Sequence, residues 1–594
     1  MTRLLITTAL EQSWPHDVPV AFLGEWCRLY SRRQRWSTMD AVVLPYHWDD
    51  RNKLRRDYGA LRALYEELLD ELGDCLNGVH RVSHSRRYWR ILVGPWLDYF
   101  VGILFDRWEM VRTAAESGVV SEALRIPTVA GEMVPADMRE FTQLMAGDAW
   151  NHAIFSRLME GWTTIRQNDV QPSFTGHAAA EKVRTARGGG IKKHLSRIAA
   201  SAFGLITREQ DAFFLMTYLP AAEESRLQWK LGQIPKQWRP IAGSVARVDP
   251  ARRQWRLGGN TRATDFGAIV RRLIPEQIPT AYLEGYRDLL ATVRDVPWPR
   301  RPKVIWTSNS FLADEVFKAW AAEKVEMGSP LVIGQHGGHY GIGAFDSTEE
   351  HQIAISDAFL TWGWRDERPG VVPVGMLKRD RVARNGDRNG LAVMVLGLAP
   401  RFSYRLFAVP FAGQWESYFD GLYQFVEHLP ASIQDQLLVR LAPADQGWNQ
   451  RQRWKDRFPR IRLDDESKSM SPVVARSRIC ICTYNATTFL DSMSEEVPTV
   501  IFWNPRQWEL RGNAVPDFER LKRVGIFHDT PQSAAGHVAA IWDDVNAWWT
   551  SPVVRDVREE FACRYCHRPS DMVAELRRAM DAVIETGAVG TGAK

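Results

Sequence analysis

Between residues 303 and 505, short apolar runs alternate with helical segments, and this pattern limits the possible folds more than any other feature of the chain. "KVIWTSNS", "PLVIGQHGG", "IAISDAFLTWGW" and "VVPVGMLKRD" form one series. "LAVMVLGLAP", "DQLLVRLAP", "RIRLDD", "RICICTYN" and "PTVIFWNP" form a second. Most of these runs are nearly continuous in apolar residues, the pattern of strands buried on both faces. Between them, "FLADEVFKAWAAEKVEMG" places Leu312, Val316 and Trp320 on one helical face and stops at Gly328. "WESYFDGLYQFVEHL" does the same with Trp415, Phe419 and Leu422. Strands alternating with helices in this way predict an α/β protein with parallel sheets covered by helices.

Two series predict two units, and 594 residues are too many for one core. "RLLITTAL" and "MDAVVLPYHWDD" open the first unit, and residues 53–300 are mostly helical in period. "ARNGDRNG" (383–390) is polar and rich in turn residues, the best linker in the chain. The expected organisation is an N-terminal Rossmann-like domain (1–382) with a large, mostly helical insertion (about 53–300), then the linker. A C-terminal Rossmann-like domain (391–594) ending in helices follows, and the two domains face a cleft. Ligands of such sheets collect at the carboxyl ends of the strands.

Composition narrows the function. A net charge of +5 and no nucleic-acid motif argue against a nucleic-acid partner. The 25 tryptophans read chiefly as core side chains. "YWRILVGPWLDYFVGILF" (88–105) is broken by Arg90, Asp98 and Gly94–Pro95, so a buried helical segment is expected rather than a membrane span. "MTRLLITTAL" reads as a strand and not as a secretory leader, and six cysteines do not make a disulfide framework; the expectation is a cytoplasmic protein. Cys563, Cys566 and His567 spell CxxCH within a charged helix, read as coincidence. No metal site and no cofactor are expected. "VRTARGGGIKKHLSR" (183–197) lacks phosphate-loop spacing and reads as a basic surface loop.

The strand ends carry the candidate site. "LVIGQHGGHYG" ends a strand with Gln335, His336, Gly337, Gly338 and His339. Glycines there let the backbone approach a ligand, and His336 can move a proton near neutral pH. "CTYNATTFLD" runs from Thr483 to a helix start, where Asn485 is the expected N-cap and Thr487 and Thr488 lie in the first turn. Amides and hydroxyls at such a start suit a phosphate, and Arg401 and Arg440 end neighbouring strands. Glu11, His47, Asp49 and Asp50 lie at other strand ends, where a carboxylate facing the cleft is a candidate general base and only one of Asp49 and Asp50 can face it; Asp148, His152, Arg86 and Arg87 are weaker site candidates.

Several stretches together carry a resemblance: "TTALEQSWP", "FLGEWC", "YHWDDRNKLRRDY", "RYWRILVGPWL", "GQHGGHYG", "CTYNATTFLDSMSEEVPT" and "FWNPRQWELR". They resemble the transferases encoded in bacterial O-antigen and surface-polysaccharide loci, over nearly the whole chain. The order of the later motifs is also similar to the GT-B layout of capsule Kdo transferases and of CDP-polyol phosphotransferases. The resemblance implies a GT-B-like fold, a nucleotide-sugar donor held by the C-terminal domain, and a glycan or lipid-linked glycan acceptor on the N-terminal side. It also implies peripheral contact with the inner membrane where the acceptor is lipid-linked. The expected function is metal-independent glycosyl transfer, with His336, Glu11 or Asp49 in the catalytic role. Polyol-phosphate transfer, and a glycan-binding scaffold without activity, are the alternatives.

Overall fold

The computed structural model describes residues 2–591 except 16, 130, 171–206, 259–264, 379–389 and 465–469, with side chains described up to residue 586. The basic stretch 183–197 and nearly all of the expected linker fall outside the described residues.

Among the described residues, the strands form three sheets, each with parallel pairing throughout. The first contains β1 (Arg3–Ile6), β2 (Val20–Phe22), β3 (Ala41–Val43), β4 (Val120–Arg125) and β5 (Arg166–Asp169), in the order β3-β2-β1-β4-β5. The second runs in simple succession through β6 (Phe213–Leu215), β7 (Ile305–Thr307), β8 (Leu331–Gly334), β9 (Ala358–Thr361) and β10 (Val371–Pro373). The third contains β11 (Ala392–Val395), β12 (Leu437–Arg440), β13 (Arg462–Asp464), β14 (Ile479–Cys482), β15 (Thr499–Phe502) and β16 (Phe527–His528). Its order, β13-β12-β11-β14-β15-β16, reverses between β11 and β14. Such a reversal opens a crevice beyond the carboxyl ends of the two central strands.

The α/β class, with parallel Rossmann-like units covered by helices, is as expected. The stretch 53–300 needs a correction, because it holds β4, β5 and β6 as well as helices. Residues 1–382 therefore carry two sheets rather than one sheet with a helical insertion. Two of these strands are hard to read: β4 is "VSEALR" and β5 is the largely exposed "RQND". β4 and β5 offer no apolar run or alternation long enough to compete with the helical period around them, whereas β6 lies within the apolar run 212–216, short but legible.

The segment 88–105 falls in the helices Arg86–Leu92 and Gly94–Glu116, both deeply buried. Asp98 is paired there with Arg62 at 2.5 Å and accepts from the Ser347 hydroxyl at 2.7 Å, so the charge that argued against a membrane span has internal partners. Among the described residues, no helix is long and apolar enough to cross a membrane. Tryptophans fill the core: Trp26, Trp48, Trp89, Trp96, Trp150, Trp306, Trp320, Trp362, Trp454 and Trp549 are among the largest fully buried side chains.

The last helix, Met572–Thr591, does not stay with the third sheet. Met572, Val573, Leu576 and Met580 join Val304, Trp306, Val332 and Leu360 of the second unit in one apolar cluster. Ahead of it, His567 donates its N–H to Trp362 and accepts from Met376 N through its carbonyl. CxxCH is thus part of a docking segment: Cys566 is buried, Cys563 is exposed, and the His567 backbone is hydrogen-bonded to the second unit.

Candidate active site

The loop after β8 meets the third unit directly. Phe345 O accepts from Ala408 N, Leu406 O from Ser347 N, Glu509 O from Ala344 N and Ile342 O from Arg511 N, at 2.8–3.0 Å. The second and third units are therefore held together by main-chain bonds around this loop. Arg511 and Arg368 both reach the buried Glu349, at 2.7 and 2.9 Å, and fix its position beneath.

Within the loop, Gln335 is a structural anchor. Its side-chain oxygen accepts from Trp362 N and Trp364 Nε1, and its amide donates to Gly337 O. His336 follows, partly buried, with Nε2 3.4 Å from the Tyr340 hydroxyl. Gly338 N donates to Thr487 Oγ1 at 3.1 Å, which brings the histidine loop against the helix start of the third unit.

The two glycines differ. A Cβ on Gly338 would lie 2.7 Å from both the carbonyl carbon and the oxygen of Ala486, whereas at Gly337 the nearest atom would be 3.9 Å away. Gly338 thus makes room for the backbone of the neighbouring unit, a correction to the expectation that it clears space for a substrate. Gly338→Ala should lower stability by about 1–3 kcal/mol, because the obstacle is main chain and cannot swing aside. Gly337→Ala should stay within about 0.5 kcal/mol. Thermal melts of the two variants check the contrast.

The helix Thr487–Ser494 begins after β14, and its N-cap is Ala486, not Asn485. Freed from capping, the Asn485 side chain is 2% exposed, and both its oxygen and its nitrogen lack a protein partner. Arg405 lies in the loop after β11, on the other side of the strand-order reversal. Its guanidinium is 3.6 Å from Asp346 and 3.4 Å from the Thr348 hydroxyl, covers the Phe407 ring at 3.8 Å, and leaves Nε unpartnered. Burial works against its charge, but Asp346 and the tyrosines 404, 99 and 340 more than offset this and hold it cationic.

The same surround makes both histidines weak bases. Burial, reinforced by the Arg405 charge, pushes His336 down to about 4 and His339 down to about 4. The Gln352 side chain lies beside the His336 ring, and the backbone of Asn485 and Phe345 lies beside that of His339. Asp346 Oδ2 has the Arg405 guanidinium at 3.6 Å. Buried polar atoms are nearly always satisfied, and the Asn485 amide stands out beside this loop because neither of its polar atoms has a protein partner.

Several candidates have structural partners instead. Arg401 bonds Asp148 at 2.6 Å and the Trp26 carbonyl, joining the third unit to the first. Arg440 pairs with Asp464 at 2.5 Å. These partners correct the expectation that Arg401 and Arg440 meet a phosphate. Glu11 is paired with Arg32 and Arg35, Asp49 accepts from Gln414 at 3.0 Å, and Asp50 caps the helix Arg51–His80. Glu11 and Asp49 thus have neighbours other than the histidine loop. Thr483 bonds Tyr418 and the Val395 carbonyl, and Thr488 bonds Tyr484. His152 bonds Thr7 and Ile126 N, and His47 bonds Asp106. Arg86 and Arg87 pair with Glu66, Asp70 and Asp357.

Arg405 was missed in the sequence. The signal is a cation in the loop after a central strand, but Arg401 sits nearer the strand end and is the stronger candidate by position alone. What aims the loop is the fully buried Arg107, which donates to the Ser403 hydroxyl at 2.6 Å and its carbonyl at 2.9 Å. Arg107 also pairs with Asp106 at 2.5 Å and donates to Asn151 at 2.9 Å. At the carboxyl ends of β14 and β15 lies a cavity of about 380 Å³ bordered by Tyr418, Thr483, Phe502, Asn504, Gln507 and Trp508. Among the described residues, no group of three or more His, Cys, Asp or Glu side chains is placed to hold a metal ion.

The family comparison places the chain among transferases. Residues 3–580 match the model of the LIC12162 family transferases, so the chain belongs to that family. No curated protein sequence matches it. Among solved structures, the crystal structure of MurG from Acinetobacter baumannii is similar with a TM-score of 0.32 and 10% identity, over 63% of this chain and 99% of that one.

Proposed function

We propose that the protein transfers a glycosyl group from a nucleotide-activated donor to a surface-glycan acceptor. The observation that carries this reading is that Arg405 and Asn485 flank the strand-order reversal of the third sheet and meet the loop of His336. Phosphate oxygens of the donor would take the Arg405 guanidinium, the Asn485 amide and the first-turn amides of the helix at Thr487. The 380 Å³ cavity beside Thr483 would take the nucleoside, being of ligand size with aromatic walls and amide side chains.

His336 would donate Nε2–H to the Tyr340 hydroxyl and present the lone pair of Nδ1 to an acceptor hydroxyl. As the acceptor oxygen bonds the anomeric carbon, its proton passes to His336. The bond from that carbon to the phosphate oxygen breaks, and the leaving phosphate takes its charge to Arg405. Catalysis of this type rests on stabilising charge where it develops, and here the chain's own cation and amides supply that. The reading needs neither cofactor nor metal ion.

A thermal-shift panel of UDP, GDP, dTDP, CDP and CMP tests the reading. A ligand at about 100 times its dissociation constant stabilises by about 2.7 kcal/mol, so at least one nucleotide should raise the melting temperature clearly. Arg405→Ala should weaken that nucleotide by about 10–100-fold, the effect of losing a charge-assisted hydrogen bond. Absence of a shift with every nucleotide ends the proposal. A product with a new phosphodiester would replace glycosyl transfer by polyol-phosphate transfer at the same site.

A further inference from the structure

The turn after β6 is strained in an unusual way. Met216 and Tyr218, neither a glycine, both hold left-handed backbone, with φ of 52° and 63°. Side chains disfavour that region because Cβ crowds the following carbonyl. The turn is held by Ser308, whose N–H donates to Met216 O at 3.0 Å and whose hydroxyl donates to Thr217 O at 2.9 Å. Thr217, between them, is buried against Glu224. The result is that two large apolar side chains face outward, Met216 45% exposed and Tyr218 38%. A fold that tolerates strain in order to expose a hydrophobic side chain usually does so at a functional site.

The Tyr218 ring centroid is 6.5 Å from that of His336, with the planes 24° apart, and Phe311 packs on the same imidazole at 5.8 Å. Lys378 is close enough to act electrostatically on the Tyr218 hydroxyl. His336 therefore has aromatic neighbours from the second unit as well as the Arg405 charge from the third. A partly exposed tyrosine next to a histidine suits a pyranose ring, whose C–H face packs on an aromatic ring while its hydroxyls stay free to react.

We propose that Tyr218, supported by Met216, is the platform for the acceptor sugar: the terminal pyranose lies on the tyrosine ring and presents a hydroxyl to His336. This rests on the glycosyl-transfer reading and adds the place at which the acceptor's terminal sugar binds. The strain then has a purpose, since a relaxed turn would not hold the ring beside the histidine.

The test uses the full chain and saturation-transfer NMR with methyl glycosides of glucose, galactose, mannose and N-acetylglucosamine. Wild type should pass saturation to the ring-face protons of at least one glycoside, and Tyr218→Phe and Tyr218→Trp should keep that signal. Tyr218→Gly should reduce it at least fivefold while the melting temperature holds or rises, because glycine relieves the left-handed strain. A tyrosine with a merely structural role would instead lower the melting temperature when removed. Nucleotide-induced stabilisation should be unchanged in Tyr218→Gly. Equal saturation in wild type and Tyr218→Gly, no glycoside signal in wild type, or loss of the nucleotide shift in Tyr218→Gly would each overturn the proposal. If no nucleotide stabilises even the wild type, the donor reading fails separately, whatever the glycosides show.

Discussion

His336→Ala should lower turnover of the stabilising nucleotide-sugar by about 10²–10⁴-fold, the usual contribution of a positioned general base. Nucleotide-induced stabilisation should persist, because the imidazole is assigned to the acceptor's proton and not to the phosphate. The pH profile gives a second readout. In the free protein, burial and the Arg405 charge hold His336 at about 4, so it is neutral through the physiological range but a weak base. A bound phosphate neutralises Arg405 and removes the repulsion that disfavours imidazolium, which raises the histidine's pKa and strengthens it as a base. The acid limb of kcat, which reports the complex, should therefore lie at higher pH than that of kcat/KM, which reports the free protein. Coincident limbs, or an alanine variant with near-normal turnover, would remove His336 from the base role.

Arg107→Ala should cost about 3–5 kcal/mol, among the largest single losses available to this fold. The guanidinium is fully buried, and its removal takes the partner cation from an equally buried Asp106. Asp106 would keep Tyr46 at 2.6 Å and His47 at 3.1 Å, of which neither replaces the lost positive charge at neutral pH unless the imidazole is protonated. Urea unfolding measures the stability loss. The substitution should also weaken nucleotide binding, because the bonds from Arg107 to Ser403 hold the loop that carries Arg405. A variant that melts early but binds nucleotide as wild type would show that Arg107 stabilises the core without aiming the site.

What the sequence made legible follows from how strongly each element signals itself. β8, β11, β14 and β15 are buried on both faces and stand out as apolar runs. β5 is a mostly exposed edge strand of Arg, Gln, Asn and Asp, and nothing in its composition distinguishes it from a loop. The two loops that meet, at 336–338 and 485–487, were visible because each closes such a run with glycine or turn chemistry. Their partners were not visible. Asn485 looks like an ideal cap, but the chain starts its helix one residue later and turns the amide inward. Choosing between Arg401 and Arg405 depends on Asp148 and Arg107, contacts from the first unit that no local pattern encodes.

The docking of Met572–Thr591 on the second unit bears on how the molecule is made. The ribosome releases β6 to β10 well before this helix exists, so Trp306 and Val332 must wait, uncovered and adhesive, while the whole third unit is synthesised. Nascent chains should accordingly need shielding by chaperones during that interval. Excising the middle unit at residue 382 for separate expression would leave it permanently without its lid.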